Sequence, residues 1–179
     1  MMLRRECAVA ALAFASAAAT ALATRALAGA VAPSGCTDIR DVPVTYAIEY
    51  GASIQGLFDN FNGMNNGCVD CHFSPDLGTP SGNLDLSAGV SWAHLFNVPS
   101  AEDASLVYVV PGHPEQSLLF QKVNCDTPGV GSRMPLGGYG GGLSVEQQAL
   151  IYDWIAEGAT VTTTDTVFRG TFDIRGLTQ

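Results

Sequence analysis

The clearest helical pattern of the chain lies towards its C-terminal end. Four apolar side chains recur there at helical spacing: Leu150, Ile151, Trp154 and Ile155. Ser144 and Gln147 stand just before them at the spacing of a capping box, and Gly158 follows as a helix-ending residue. The pattern therefore predicts a helix that begins after Ser144, buries the apolar stripe and ends at Gly158.

Three earlier segments predict shorter helices. Ser53 can cap a helix whose apolar face is formed by residues within 54–61. A second helix is predicted over 88–96. Pro114 suits the first position of a third helix, which would carry its apolar residues at 118–123.

Extended and irregular segments make up most of the remaining pattern. Residues 42–48 are typical of a short edge strand, where Pro43 is tolerated because an edge leaves some N–H groups unpaired. A β-branched run follows at 106–110, and loops rich in Gly, Pro or Ser are predicted at 73–86 and 124–142. The predicted fold class is therefore mostly α, with a few short helices, long Gly/Pro-rich loops and little strand.

The N-terminal residues 1–28 predict a secretory signal peptide. Arg4 and Arg5 form a basic opening, an alanine-rich apolar run follows at 8–23, and small residues before Ala28 suit cleavage after it. The alternative is a membrane anchor, but the run is shorter than the roughly 20 apolar residues needed to span a bilayer. The mature chain is therefore expected in the periplasm.

Cleavage would leave 151 residues, enough for one compact domain. We predict an irregular leader at 29–41, the main domain at 42–159 and a tail at 160–179. Five basic and sixteen acidic residues remain, a net charge of −11. Such a surface repels nucleic acid and anionic lipid, and it favours a partner protein with a basic docking patch. No later segment is long and apolar enough to predict stable membrane insertion.

Cys68-Val69-Asp70-Cys71-His72 has the spacing of a covalent haem-attachment motif. Two thiols three residues apart at the end of a helix can each add to one vinyl group of a porphyrin. The adjacent imidazole of His72 then lies under the iron as its proximal ligand. The motif predicts one haem c per chain, and Asp70 within it is expected to face solvent.

Other uses of Cys68 and Cys71 stay open from the residues alone. A structural zinc site would need two more paired ligands, and the remaining cysteines and histidines are scattered along the sequence. A thioredoxin-like redox pair would need a βαβ context, which the pattern does not predict. A disulfide across two intervening residues would be strained.

Met134 is the predicted distal ligand of the iron. Met64 is too close to the motif in sequence to reach the opposite face, whereas Met134 follows His72 by 62 residues in a loop that a proline restrains. A methionine without a ligand is usually core filler, but a glycine-rich loop offers little core to fill. His94 and His113 are the alternative ligands, although both lie in segments predicted to be surface or turn.

Two further cysteines, Cys36 and Cys125, predict a disulfide in an oxidising compartment. Cys7 would leave with the signal peptide. A lipidated Cys36 is one alternative, but the preceding residues lack the aliphatic side chain that a lipobox requires. Free thiols are the other alternative.

With these motifs, the chain resembles small class I-like cytochrome c domains of the planctomycete type. The resemblance runs from Ile54 to Ala159, and four short segments carry it: Ile54-Gln55-Gly56-Leu57-Phe58, the run from Val110 to Leu119, Arg133-Met134-Pro135, and Trp154-Ile155-Ala156-Glu157-Gly158-Ala159. It implies a few helices around one haem, crossing N- and C-terminal helices, and distal ligation by Met134. Arg133 would pair with a haem propionate or face solvent. Cys36, Cys125 and the last twenty residues are not features of that family.

Ligation by histidine and methionine fills both axial positions and raises the reduction potential. Such an iron offers no site for oxygen or peroxide, so we expect single-electron transfer between partner proteins and no catalytic residues. Two alternatives stay open. The chain could be the haem-bearing, electron-accepting subunit of a larger periplasmic oxidoreductase, or a haem-based sensor.

Overall fold

The computed structural model describes residues 31–73 and 79–161. Within these ranges the α-helices are α1 (Gly56–Asp59), α2 (Ser91–Leu95), α3 (Leu118–Asn124) and α4 (Val145–Ala156). The strands are β1 (Ser34–Cys36) and β2 (Cys125–Thr127). Shorter helical turns are a π-helix at Tyr50–Gln55 and 3-10 turns at Cys68–Asp70, Ser81–Asn83, Pro114–Gln116 and Leu136–Gly141. The predicted signal peptide at 1–28 and residues 162–179 of the predicted tail lie outside the described residues.

Helix α4 begins where its sequence predicts. The Ser144 hydroxyl accepts a hydrogen bond from the Gln147 N–H at 3.3 Å, and the Gln147 side chain accepts one from the Ser144 N–H at 2.9 Å. This reciprocal pair is the predicted capping box. The apolar stripe is buried except at Leu150, which is half-buried, and Gly158 follows the helix with a φ of +104°.

The core forms where α4 packs against the π-helix that leads into α1. The ring centroid of Tyr50 lies 5.3 Å from that of Trp154, and Ile54 and Phe58 are fully buried nearby. Helix α4 also contacts α3. No helix among the described residues is both long and apolar enough to cross a membrane.

The strand predicted at 42–48 is absent, because carboxylates of α4 and its C-terminal end take the place of a neighbouring strand. The Thr45 N–H donates to Asp153 Oδ2 at 2.8 Å. The N–H groups of Ala47 and Ile48 donate to the two carboxylate oxygens of Glu157, at 2.9 and 3.2 Å. Side chains therefore hold this segment, and Ala47 within it has a left-handed backbone with a φ of +56°. Similarly, 106–110 forms only isolated bridges.

The predicted helix start at Ser53 is wrong. Its N–H donates to the Glu49 carbonyl at 2.9 Å, so Ser53 lies inside the π-helix that begins three residues earlier. The helix predicted from Pro114 is interrupted at Ser117, where the backbone is extended. The Ser117 hydroxyl accepts from the Val110 N–H at 2.8 Å, which fixes this break.

Strands β1 and β2 pair antiparallel and join the leader to the C-terminal end of α3. Neither strand is apparent in the sequence pattern, since each has only three residues. Cys36 and Cys125 face each other in this pair and form a disulfide. The two alternatives, a lipidated Cys36 and two free thiols, therefore do not hold in this structure.

Candidate functional site

Cys68, Cys71 and His72 lie on one tight turn. Residues Cys68–Asp70 form a 3-10 turn, and the His72 N–H donates to the Cys68 carbonyl at 2.9 Å. The Asp70 carboxylate accepts from the Gly67 N–H at 2.9 Å and so closes the start of the turn. This local pairing brings two thiols and one imidazole together without any help from a distant element.

The turn rests against the end of α1, and Gly67 makes this approach possible. A Cβ atom at Gly67 would lie only 2.3 Å from the Asp59 carbonyl oxygen and 2.5 Å from that of Phe58. Since a side chain cannot fit there, the glycine fixes the distance between helix and motif. The predicted helix leading into the motif thus ends at Asp59, and the chain reaches Cys68 through an irregular segment.

The segment after the motif folds back onto it. The Ser81 N–H donates to the Cys71 carbonyl at 3.1 Å, and the Leu86 N–H donates to the His72 carbonyl at 2.7 Å. Leu84 and Leu86 are buried, which anchors this segment to the core. The backbone on both sides of His72 is therefore held in place.

Cys68 and Cys71 are both free thiols with different surroundings. Cys71 is exposed, while Cys68 is half-buried. Burial raises the pKa of the Cys68 thiol to about 12. A thiol with a raised pKa is a poor nucleophile in thiol–disulfide exchange, so these surroundings do not favour a thioredoxin-like pair.

The His72 ring has a buried nitrogen, Nδ1, without a hydrogen-bond partner. Buried polar atoms in proteins are almost always paired, and an exception calls for a functional or ligand-based explanation. A neutral imidazole offers one nitrogen lone pair to a metal. His72 is therefore of the chemical type that ligates iron, and its Nδ1 is not committed to a hydrogen bond.

Large apolar side chains around the motif are exposed. They are Met64, Phe73, Leu136 and Tyr139, with exposed fractions of 70, 47, 62 and 45 %. Met64 and Phe73 flank the motif in sequence, and the other two belong to the turn at Leu136–Gly141. Of these four, Tyr139 contacts the motif directly, through its hydrogen bond to Asp70.

The glycine-rich turn at Leu136–Gly141 lies beside the motif. The Tyr139 hydroxyl donates to Asp70 Oδ2 at 3.1 Å, and the Asn62 side chain donates to the Gly140 carbonyl at 3.0 Å. Asp70 is exposed, as expected, and its carboxylate in addition accepts from both Gly67 and Tyr139. The sequence offers no signal for the Tyr139 contact, because 69 residues separate the pair.

Met134 lies at the start of this same stretch of chain. Its N–H donates to the Lys122 carbonyl at 2.6 Å, and the residue is half-buried. The loop that carries Met134 thus leaves the end of α3 and runs directly into the turn that touches the motif.

The two alternative iron ligands, His94 and His113, are both exposed. His94 is exposed at the end of α2, where its Nδ1 is paired with the Asp85 carbonyl at 3.0 Å. His113 is exposed in the turn before Pro114. Asp85 directly precedes Leu86, whose N–H donates to the His72 carbonyl, so His94 is bonded to the segment that folds back onto the motif.

No known protein family, curated protein or solved structure matches the chain. The haem assignment accordingly rests on the residues and their geometry.

A metal site built from protein side chains alone has no support among residues 31–73 and 79–161. They contain no group of three or more His, Cys, Asp or Glu side chains that could hold a metal ion. The disulfide withdraws Cys36 and Cys125 from the ligands that zinc would need. A βαβ unit is also missing from these residues, whose two strands are antiparallel neighbours.

Two of the surface cavities have volumes of about 410 and 390 Å³, and the second is lined in part by Pro80, Asn83 and Asp85 of the segment that folds back onto the motif. The first is beside the disulfide and the second is beside His94. Neither lining includes Cys68, Cys71 or His72 themselves.

Proposed function

We propose that this chain is an exported cytochrome c that carries single electrons in the periplasm and is not itself an enzyme. The observation that carries the proposal is the Cys68–His72 turn, in which two free thiols accompany an imidazole with a buried, unpartnered nitrogen. The other two cysteines of the described residues are bonded to each other. The thiols left over are therefore those with haem-attachment spacing.

Each residue of the site has a defined role in this proposal. Cys68 and Cys71 each add their S–H across one vinyl group, which forms a thioether and consumes no other reagent. His72 and Met134 would hold the iron as its two side-chain ligands. Haem supplies an iron that changes reversibly between its ferric and ferrous states.

The site favours electron transfer over catalysis at the metal. Two axial side chains leave the iron no open position for oxygen or peroxide, and a thioether ligand raises the reduction potential. Exposed apolar side chains around the motif support contact with a redox partner, and the acidic composition favours a basic patch on it.

The test is to express the full chain with its own N-terminus in a bacterium that matures c-type cytochromes. We expect a periplasmic product with the mass of one covalently attached haem and with Soret absorption. Met134→Ala should keep the haem but lose the long-wavelength absorption band of oxidised iron–thioether coordination. Met64→Ala is the matched control, since Met64 is 70 % exposed and is expected to leave this band unchanged.

Three results would contradict the proposal in whole or in part. An exported chain with the mass of bare polypeptide and no Soret band would remove the haem assignment altogether. A Met134→Ala variant with an unchanged band would keep the haem but exclude this distal ligand. A reduced wild-type protein that binds carbon monoxide rapidly would point to a sensor instead.

A further inference from the structure

We propose that Arg133 is a positioning residue for the distal ligand Met134, and that the disulfide-bonded hairpin of β1 and β2 holds Arg133. This inference rests on the proposed function. Of the two expectations for Arg133, the structure bears on exposure to solvent: its half-buried side chain is paired within the chain.

Arg133 makes contacts to three different parts of the chain. Its Nη1 donates to Asp126 Oδ1 at 2.7 Å in an ion pair, and its Nη2 donates to Thr37 Oγ1 at 3.2 Å. The Nη2 also donates to the Val123 carbonyl at 3.4 Å. The guanidinium thus joins β2, the leader and α3 at one point, immediately before Met134.

The disulfide holds both side-chain partners of Arg133. Thr37 directly follows Cys36 in sequence, and Asp126 directly follows Cys125. The Thr37 N–H and hydroxyl also donate to the Asn124 carbonyl, at 3.0 and 3.3 Å. The covalent bond therefore fixes the two acceptors relative to each other, in the geometry that one guanidinium can bridge.

Residues of α3 also hold the loop that precedes Met134. The Met134 N–H donates to the Lys122 carbonyl, and Lys122 Nζ forms an ion pair with Glu102 at 2.6 Å. A Cβ atom at Gly131 would lie 2.6 Å from Lys122 Nζ, so the loop passes close over this ion pair. Earlier in the same loop, the Gly129 N–H donates a hydrogen bond to Gln121 Oε1 at 3.1 Å.

These restraints matter for the bond between the Met134 thioether and the iron. The thioether is a neutral ligand, and its bound state is in equilibrium with a state in which the loop has released Met134. Pre-ordering the loop lowers the entropy lost when Met134 binds. If Arg133 is removed, Met134 is released from the iron in a larger fraction of the molecules. A ligand that needs the vacated position on the iron binds in proportion to that fraction.

The test compares Arg133→Gln with Arg40→Gln in the haem-loaded protein. Arg40 is the matched control, because it also forms an ion pair with an aspartate, Asp38, but lies in the leader away from the Met134 loop. For Arg133→Gln we expect carbon monoxide to bind the ferrous protein roughly tenfold faster, with a weaker iron–thioether band and unchanged haem content. Arg40→Gln should match the wild type.

Two further variants separate positioning from general stability. Arg133→Lys keeps one cation near Asp126 and should restore part of the band. Asp126→Asn should act in the same direction as Arg133→Gln, and it keeps the fold because Asp126 is 71 % exposed. A double Cys36→Ser/Cys125→Ser variant should also release Met134 more often, with its haem still attached.

The outcomes distinguish this inference from the function on which it rests. If wild type lacks covalent haem or the iron–thioether band, the proposed function fails and the positioning role fails with it. If wild type has both and Arg133→Gln binds carbon monoxide like Arg40→Gln, only the positioning role is overturned. The same conclusion follows if Asp126→Asn and the cysteine variant leave the band unchanged.

Discussion

Gly67 sets how closely the motif approaches α1, because the carbonyl oxygens of Phe58 and Asp59 occupy the space of any side chain there. We expect Gly67→Ala to lower the free energy of unfolding by at least about 2 kcal/mol, since the opposing atoms are backbone and cannot swing away. Urea denaturation of the unloaded chain measures this directly, and the yield of haem-loaded protein should fall with it.

Gly56→Ala is the control for Gly67→Ala. Gly56 has a helical backbone, with φ −57° and ψ −37°, and nothing lies within 4 Å of a Cβ placed there. Alanine at Gly56 should stabilise the chain by about 0.5–1 kcal/mol. Equal effects of the two substitutions would contradict the close approach at Gly67.

At the residue scale, the sequence predicts which groups do the proposed chemistry but not what holds them. Cys68, Cys71 and His72 can be found because their spacing is local. The Asp70–Tyr139 hydrogen bond and the Arg133–Asp126 ion pair cannot, because both depend on where loops return after α3 has packed.

At the element scale, an element was predictable when its signals were local and mutually consistent. Helix α4 has a periodic stripe and a capping box, and both are present in the structure. Residues 42–48 have a strand-like composition, yet their N–H groups bond to Asp153 and Glu157, more than 100 residues away. The conformation of such a segment depends on its burial and on its hydrogen-bond partners, and its composition encodes neither of these.

Ser144→Ala tests the cap of α4. The substitution removes the acceptor for the Gln147 N–H and leaves the first turn with an unpaired donor. We expect the free energy of unfolding to fall by about 1 kcal/mol, measured by urea denaturation. Ser53→Ala is the control, because Ser53 lies inside a helical segment and caps nothing. A loss at Ser53 as large as that at Ser144 would contradict the observed helix start.

At the scale of the whole molecule, the Cys36–Cys125 disulfide closes most of the described chain into one loop. The two cysteines are 89 residues apart in sequence. Closing such a loop lowers the entropy of the unfolded chain, so reduction should cost about 2–5 kcal/mol of unfolding free energy. Urea denaturation with and without a thiol reductant measures the difference.

The Cys36→Ser/Cys125→Ser variant is the control for that experiment. Its denaturation midpoint should be lower than that of the oxidised wild type and should not respond to the reductant. A variant that still responds would show that Cys68 and Cys71 account for the effect. That result would conflict with their free thiols in the structure.

The charge distribution of the whole molecule gives the last prediction. Each basic side chain among residues 31–73 and 79–161 is paired with a carboxylate: Arg40 with Asp38, Lys122 with Glu102 and Arg133 with Asp126. Asp59 and Asp70, both exposed, lie at the motif itself. Under the proposed function, an electron exchanged near Cys71 would pass through a negative field, which attracts cationic partners and repels anionic ones. The rate of oxidation by a cationic metal complex should fall as ionic strength rises from about 0.01 to 0.15 M, because the Debye length shortens from about 30 to 8 Å. An anionic complex should show a rising rate and a neutral one almost no change. If the cationic and anionic complexes respond alike, electron exchange does not take place at this acidic surface.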